Sequence, residues 1–522
     1  MGVAGNLITS PTGEVDWRAA IEAAPVRDVA RLTPLDPAPR LSGLLGNIVT
    51  LKREDQQPVF SFKLRGAYTR LAQLSAEERA RGVLAVSAGN HAQGMALGAA
   101  RLGLDCVIVM PTTAPRIKID GVRALGATAV LSGDSFDEAQ GEARRIAERD
   151  GRAVVPPFDN PAVIAGQGSV ALEMLTQVPA EEWPEVVFIP VGGGGLCAGM
   201  AAYLKSVAPD IRVVAVEPAD AACFAAARAA GRPVDLDHVG LFVDGCAVRR
   251  VGMHTFEVME PRVDEIITVE TDAVCAAIRA TFEDTRTIAE PAGALAIAGM
   301  MAWVRRTGAR GRRLAAILSG SNMNFDRIPY IVERAEIGTE AEALFGVEIP
   351  EQKGAFLAFA RAVGCRPVTE FNYRHRDDAR AQVFVGIALS RGVVERQEII
   401  ETLQAAGDDV VDLTHNEVAR LHVRHMVGGG AQDAAGGIAR ERLFRFEFPE
   451  RPGALLYFLE TLGGRWDITL FHYRNRGAAY GRVLVGFAID EGQDDVLEAD
   501  LSSIGYWYAE ETGNPALTRF LG

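Results

Sequence analysis

The sequence predicts an α/β protein, with doubly wound, mostly parallel sheets over residues 1–334 and two smaller α+β ferredoxin-like modules at 342–426 and 441–522. Three observations predict it. Short apolar runs alternate with longer helical patterns through the first part of the chain. After Arg334 a segment occurs twice. Clusters of small polar residues close several of the apolar runs, where open parallel sheets bind their ligands.

The apolar runs, in order, are GVLAVSA (82–88), CVIVMP (106–111), TAVLSG (128–133), VVFIPV (186–191), RVVAVEP (212–218) and LAAILSG (314–320). Each is apolar at consecutive positions and ends in turn residues, as a strand covered on both faces does. Val186 to Leu204, VVFIPVGGGGLCAGMAAYL, carries no charge and is long enough to span a bilayer. Its four consecutive glycines instead divide it into a strand, a turn and a helix. SAGNH, VGGGG and SGSN stand at strand ends and are candidates for one shared site.

The repeat aligns LFGVEIPEQKGAFLAFARAVG (344–364) with LFRFEFPERPGALLYFLETLG (443–463), an offset of 99. After one inserted residue FNYR (371–374) matches FHYR (471–474), and VFVGIAL (383–389) matches VLVGFAI (483–489). Each copy reads strand, helix, strand, strand, helix, strand. VGGGAQDAAGG (427–437) links the copies, and Thr414 with Glu417 forms a capping box on the helix leading into it.

At 522 residues, 48% of them hydrophobic, the chain exceeds what one core holds. A net charge of -14 argues against nucleic acid and anionic membrane as partners. Six scattered cysteines without a CxxC pair fit reduced thiols in a cytoplasmic protein. The N-terminus lacks the basic and apolar regions of a signal peptide, and Asn6 stands where myristoylation wants Ser or Thr.

Lys63 lies between Phe62 and Leu64 where SFKLRGA enters a helix. A snorkelling surface lysine is the plain reading; a desolvated, partly neutral amine able to form an imine is the sharper one. In VFIPVGGGGLCAG, glycines and a helix start suit a phosphate. No GK[ST] follows, which excludes a nucleoside-triphosphate loop. Gly193, Gly195 and Ala198 do satisfy the dinucleotide pattern, with Glu217 at the end of the next strand. SAGNHAQG (87–94) offers Asn90 and backbone donors to a carboxylate or a ring hydroxyl, or is an ordinary helix cap. His91 is a candidate structural partner. Ser319 in SGSN is a neutral hydroxyl at a strand end, and Glu290 in AEPAGA is a ligand or a cap. His422 and His425 form an HxxH pair better read as a solvated helix face than a metal site. These pieces ask for one ligand with a phosphate, an aldehyde for Lys63, and ring groups for Asn90 and Ser319. Pyridoxal phosphate meets all three demands.

KREDQQPVFSFKLRGAY, SAGNHAQG, PFDNPAVIAGQG (157–168), PVGGGGL, GLFVDGCAV (240–248), AEPAGA and ILSGSNMNF resemble the motifs of the threonine dehydratases. These are tryptophan-synthase-β-like (fold type II) pyridoxal-phosphate enzymes, and the resemblance covers nearly the whole chain. It implies that Lys63 binds the cofactor's aldehyde and then serves as base, with Phe62 near the ring. Asn90 would bond the ring hydroxyl, Gly192, Gly193, Gly194, Gly195 and Leu196 would wrap the phosphate, and Ser319 would face the pyridine nitrogen. Glu290 joins this cofactor set. Ser87, Ala88, Gly89, Asn90 and His91 would receive the substrate carboxylate. The implied reaction is deamination of L-threonine, more weakly of L-serine, to a 2-oxoacid and ammonia. Some relatives hold a divalent cation through a glutamate and an aspartate six positions on; Glu217 matches, but Cys223 replaces the aspartate, so no metal is expected. The repeat resembles paired ACT-like modules that bind isoleucine, an inhibitor, and valine, which opposes it, with Tyr373 and Tyr473 as effector-site probes or plain core. A homotetramer is implied. The alternative is a serine racemase or dehydratase of the same family, to which the repeat has no obvious use; a non-catalytic amino-acid sensor would have lost Lys63 or the glycines.

Overall fold

The computed structural model describes residues 15–112, 114, 116–133, 136–338, 341–350, 354–374, 380–416, 419, 440–449, 453–474, 480–490 and 492–513. The chain divides into two compact units, the first ending at Ala335. The first unit contains two sheets. In the larger, the strands run in the spatial order Leu35–Pro37, Ile48–Arg53, Arg313–Leu318, Val186–Pro190, Arg212–Pro218, Glu265–Val269. All are parallel except the first pair. The smaller sheet, Thr128–Leu131, Cys106–Met110, Val83–Val86, Ala153–Val154, is parallel throughout.

The central strands are apolar at consecutive positions because both of their faces are covered. Val187, Ile189, Val213, Ala215 and Ile317 join one core cluster with the helices Pro161–Gln177 and Gly195–Val207. Their neighbours Val186, Phe188, Val214, Val216 and Leu318 join another with the helices Thr271–Thr285 and Pro291–Thr307. Successive side chains point to opposite faces, and both faces are covered. The uncharged stretch 186–204 resolves as expected into the strand Val186–Pro190, a glycine turn and the helix beginning at Gly195. No helix among the described residues is long and apolar enough to cross a membrane.

The second unit is an eight-stranded antiparallel sheet, in the order Asp409–Asp412, Glu342–Pro350, Arg380–Ala388, Val368–Arg374, Asp467–Arg474, Tyr480–Ile489, Arg440–Pro449, Trp507–Glu510. Each copy of the repeat supplies four strands and two helices in the order read from the sequence. The copies meet edge to edge, pairing Phe371 with Tyr473, Asn372 with His472 and Tyr373 with Phe471. Exchanging the copies maps the first of these pairs onto the third, so a pseudo-two-fold axis passes through the Asn372–His472 pair. Phe371, Tyr373, Phe471 and Tyr473 all lie in the unit's apolar core.

Thr414 Oγ1 accepts the Leu344 N–H at 3.1 Å, and the expected capping box lies outside the described residues because Glu417 does. So do His422, His425, the 427–437 link and Asn6. All six cysteines are free, and five of them are buried.

Candidate active site

Lys63 is the first residue of the helix Lys63–Ala72. That helix is seated by Arg65, whose guanidinium is fully buried. It donates to Glu54 at 2.8 and 2.9 Å and to Glu173 at 2.7 and 2.8 Å. Lys52 donates to the same Glu173 at 2.7 Å and to the Thr33 carbonyl at 2.7 Å. Two cations and two carboxylates thus close a neutral network inside the protein, which answers why so many charges precede the motif. On its other side the helix meets Gly94, where a Cβ would fall 2.9 Å from the Leu64 nitrogen. Only glycine allows that approach.

The Lys63 amine is partly buried, donates to the Pro157 carbonyl at 3.1 Å and stands 5.4 Å from the centre of the Phe62 ring. Burial lowers it from its ordinary value to about 8, against the smaller opposing pull of Cys246 and Glu290. The next residue, Phe158, reaches the glycine turn, where a Cβ on Gly193 would lie 2.3 Å from its ring. Gly194 sits at φ 94° as the N-cap of Gly195–Val207, a left-handed conformation that glycine adopts without strain. The turn is tied from behind. Thr255 Oγ1 donates to the Gly193 carbonyl at 2.7 Å and Cys223 Sγ to that of Gly192 at 3.3 Å. By position, the N–H groups of Gly195 and Leu196 have no intrahelical acceptor.

Ser87 to Gly89 leave the strand Val83–Val86, and the helix Asn90–Leu102 follows. The Ser87 hydroxyl accepts the Gly89 N–H at 3.1 Å. Asn90 Nδ2 donates to Glu290 Oε1 at 2.5 Å, joining the small sheet's loop to the N-cap of Pro291–Thr307. Glu290 makes no side-chain cap bond to its own helix. Its carboxyl is pushed up to about 7, first by burial and then by Asp244, while Asn90 opposes the shift. His91 is buried, with Nε2 3.0 Å from the Val155 carbonyl. Burial, and next the Lys63 charge, drive it down to about 3, so the ring is neutral. A substrate at this loop would meet His91 through its backbone.

Ser319 follows the strand Arg313–Leu318; its hydroxyl donates to the Ala292 carbonyl at 3.1 Å, and its carbonyl accepts the Phe62 N–H at 3.3 Å. Lys63, Asn90, Glu290, Ser319 and the glycine turn therefore sit at the carboxyl ends of strands from both sheets. Glu217 does not belong with them. Its carboxylate accepts the Phe224 and Ala225 N–H groups at 2.7 and 2.9 Å, spending both oxygens on the helix Cys223–Ala230 and none on a ribose.

Three contributors carry no role in the sequence reading. Pro157 acts through a carbonyl oxygen, which no side-chain pattern signals. Asp159 accepts three N–H groups at the start of the helix Met253–Met259, the segment behind Gly193. Asn322 closes the SGSN segment and donates to Asn90. All three lie within motifs named from the sequence.

The donor set fits pyridoxal phosphate. A glycine cradle that a Cβ would fill, an amine made partly neutral at ordinary pH, an amide and a hydroxyl answer its phosphate, aldehyde and ring atoms. Comparison with known proteins agrees. Residues 26–320 match the family described as pyridoxal-phosphate dependent enzyme. Residues 333–423 and 433–521 each match the C-terminal regulatory domain of threonine dehydratase. The chain is 51% identical to the biosynthetic L-threonine dehydratase of Escherichia coli, over 98% of both chains. Among solved structures, the processed form of threonine deaminase isoform 2 from Solanum lycopersicum is 45% identical, with a TM-score of 0.60 over 64% of this chain and 98% of that one. Maize serine racemase is 29% identical, with a TM-score of 0.57 over 60% and 96%.

Proposed function

Since this chain belongs to the threonine dehydratase family of pyridoxal-phosphate-dependent enzymes, we propose that it is the lyase that deaminates L-threonine, and L-serine more weakly, under feedback control. Threonine loses water across its Cα–Cβ bond, and the released enamine takes up water to give 2-oxobutanoate and ammonia. Bound at the site, pyridoxal phosphate supplies the electron sink that makes the α-proton removable.

The chain's own residues do the rest. The Lys63 amine would hold the cofactor through its aldehyde and would serve as the base for the α-proton. Gly192 to Leu196 would hold the phosphate by backbone N–H groups. Phe62 would lie near the ring, Asn90, bonded to Glu290, would serve the ring oxygen, and Ser319 would serve the ring nitrogen. The Ser87–His91 loop takes the substrate carboxylate. The observation that carries this reading is the partly buried Lys63 amine, at about 8, beside the glycine turn and the Asn90–Glu290 pair.

The paired modules bind isoleucine, which inhibits, and valine, which opposes it; the protein works in the cytoplasm as a homotetramer. Tyr373 supports the effector assignment, because it lines a cavity with Phe356, Leu459 and Trp466 at the seam between the copies. The test is 2-oxoacid release from L-threonine by the purified protein, with and without L-isoleucine. Release that isoleucine suppresses is expected. Release indifferent to isoleucine overturns the regulatory half, and serine racemisation without release overturns the dehydratase assignment.

A further inference from the structure

Asn322 has only one orientation open to its carboxamide. The Val59 carbonyl can only accept, and Asn322 Nδ2 donates to it at 2.8 Å. The second Nδ2 hydrogen then meets Asn90 Oδ1, also at 2.8 Å. If Asn90 were turned round, two NH2 groups would face each other, a repulsive contact in a partly buried place. Asn90 must therefore present its own Nδ2, and one of its two hydrogens goes to Glu290.

We infer that Asn322 is a positioning residue for the cofactor: acting through Asn90, it presents an N–H donor, and not a carbonyl, to the ring oxygen. The inference rests on the reading that Asn90 faces that oxygen. A donor favours the oxygen as an anion, and an acceptor favours it protonated. A backbone carbonyl four residues before Lys63 thereby sets the ionisation of a ring atom through two amides in series.

The same segment clamps the loop that carries the lysine. The Ser321 N–H donates to the Phe60 carbonyl at 2.9 Å, and the Phe62 N–H to the Ser319 carbonyl at 3.3 Å. Phe60 sits between these bonds at φ 55°, left-handed backbone that bulky residues rarely adopt. One loop thus holds both the amine's approach and the amide's orientation.

The test is the absorption of the cofactor-loaded protein without substrate, at fixed pH. It reads the ratio of the visible band, from the ionised ring oxygen, to the near-ultraviolet band, from the protonated one. Asn322→Asp exchanges the donor for an acceptor and should turn Asn90 over. The ratio is expected to fall roughly fivefold, the weight of one neutral hydrogen bond. Asn322→Ala removes the constraint without reversing it and should give a smaller fall, and it serves alone if the aspartate variant does not fold. Asn90→Ala checks the underlying reading. A ratio moved by Asn90→Ala but unmoved in the Asn322 variants overturns the proposal, even if cofactor content or thermal stability drops. A ratio unmoved by Asn90→Ala overturns the reading on which the proposal rests, and the proposal with it.

Discussion

On the proposed reading the chemistry turns on Lys63 and Ser319, and each makes a measurable claim. Only a neutral amine attacks an aldehyde. Reloading of the cofactor-free protein with pyridoxal phosphate, followed by absorbance, should therefore quicken as pH rises and level off above about 8. An ordinary lysine would still be gaining reactivity up to about 10.4. A reloading rate that keeps climbing well past about 8, as an ordinary lysine's would, removes burial as the cause. If Ser319 faces the ring nitrogen as proposed, its hydroxyl would leave the pyridine largely unprotonated and so hold transamination down. Ser319→Asp should then convert part of the bound cofactor to its amine form during turnover, detectable as progressive inactivation that added pyridoxal phosphate reverses. An aspartate variant with no such side reaction counts against this role. Both side chains were legible in sequence, because a lysine and a serine stand where the motifs call for an amine and a neutral hydroxyl. Pro157 was not, since its contribution is a backbone oxygen.

The helix Lys63–Ala72 shows what an element needs in order to hold a reactive amine. Its first turn contains an arginine with no exposure to solvent, bonded to Glu54 and Glu173. Burial and these two carboxylates set opposing pulls on Arg65, and the carboxylates win, so its pKa is raised. Glu54 is held below the usual carboxylate range, with burial opposing and Arg65 prevailing. Removing one member leaves a charge stranded in the interior. Glu54→Gln should lower unfolding stability by about 3 kcal/mol or more in denaturant titration. The exposed i,i+4 pair Arg18–Glu22 is the contrast, and Glu22→Gln should leave the denaturation midpoint essentially where it was. Equal effects would mean that the network is not a closed unit. The charged run KREDQQP announced its composition but not its partner: Glu173 lies more than a hundred residues away, and only the packing of two helices brings it to Arg65.

Across the whole molecule, the duplication shapes the second unit. Because the copies join through equivalent strands, Tyr373 and Tyr473 take equivalent places about the pseudo-axis, each opposite a phenylalanine of the other copy. Tyr373 also borders the cavity at the seam. Tyr373→Ala should weaken the isoleucine response about tenfold, within the usual range of allosteric couplings, while leaving turnover without isoleucine unchanged. Tyr473→Ala measures whether the second place matters as much. An unaltered response in both variants makes these tyrosines plain core. By itself the sequence determined the strand and helix order, the repeat and the residue types of the site. Those depend on local periodicity, on glycine's conformational freedom and on chemical kind. Which residues touch was decided only by tertiary structure: the Asn90–Glu290 bridge between two sheets, the Val59–Asn322–Asn90 series, the buried Arg65 network and the seam between the copies. Burial, register and hydrogen-bond direction are properties of the packed whole, and no stretch of chain carries them alone.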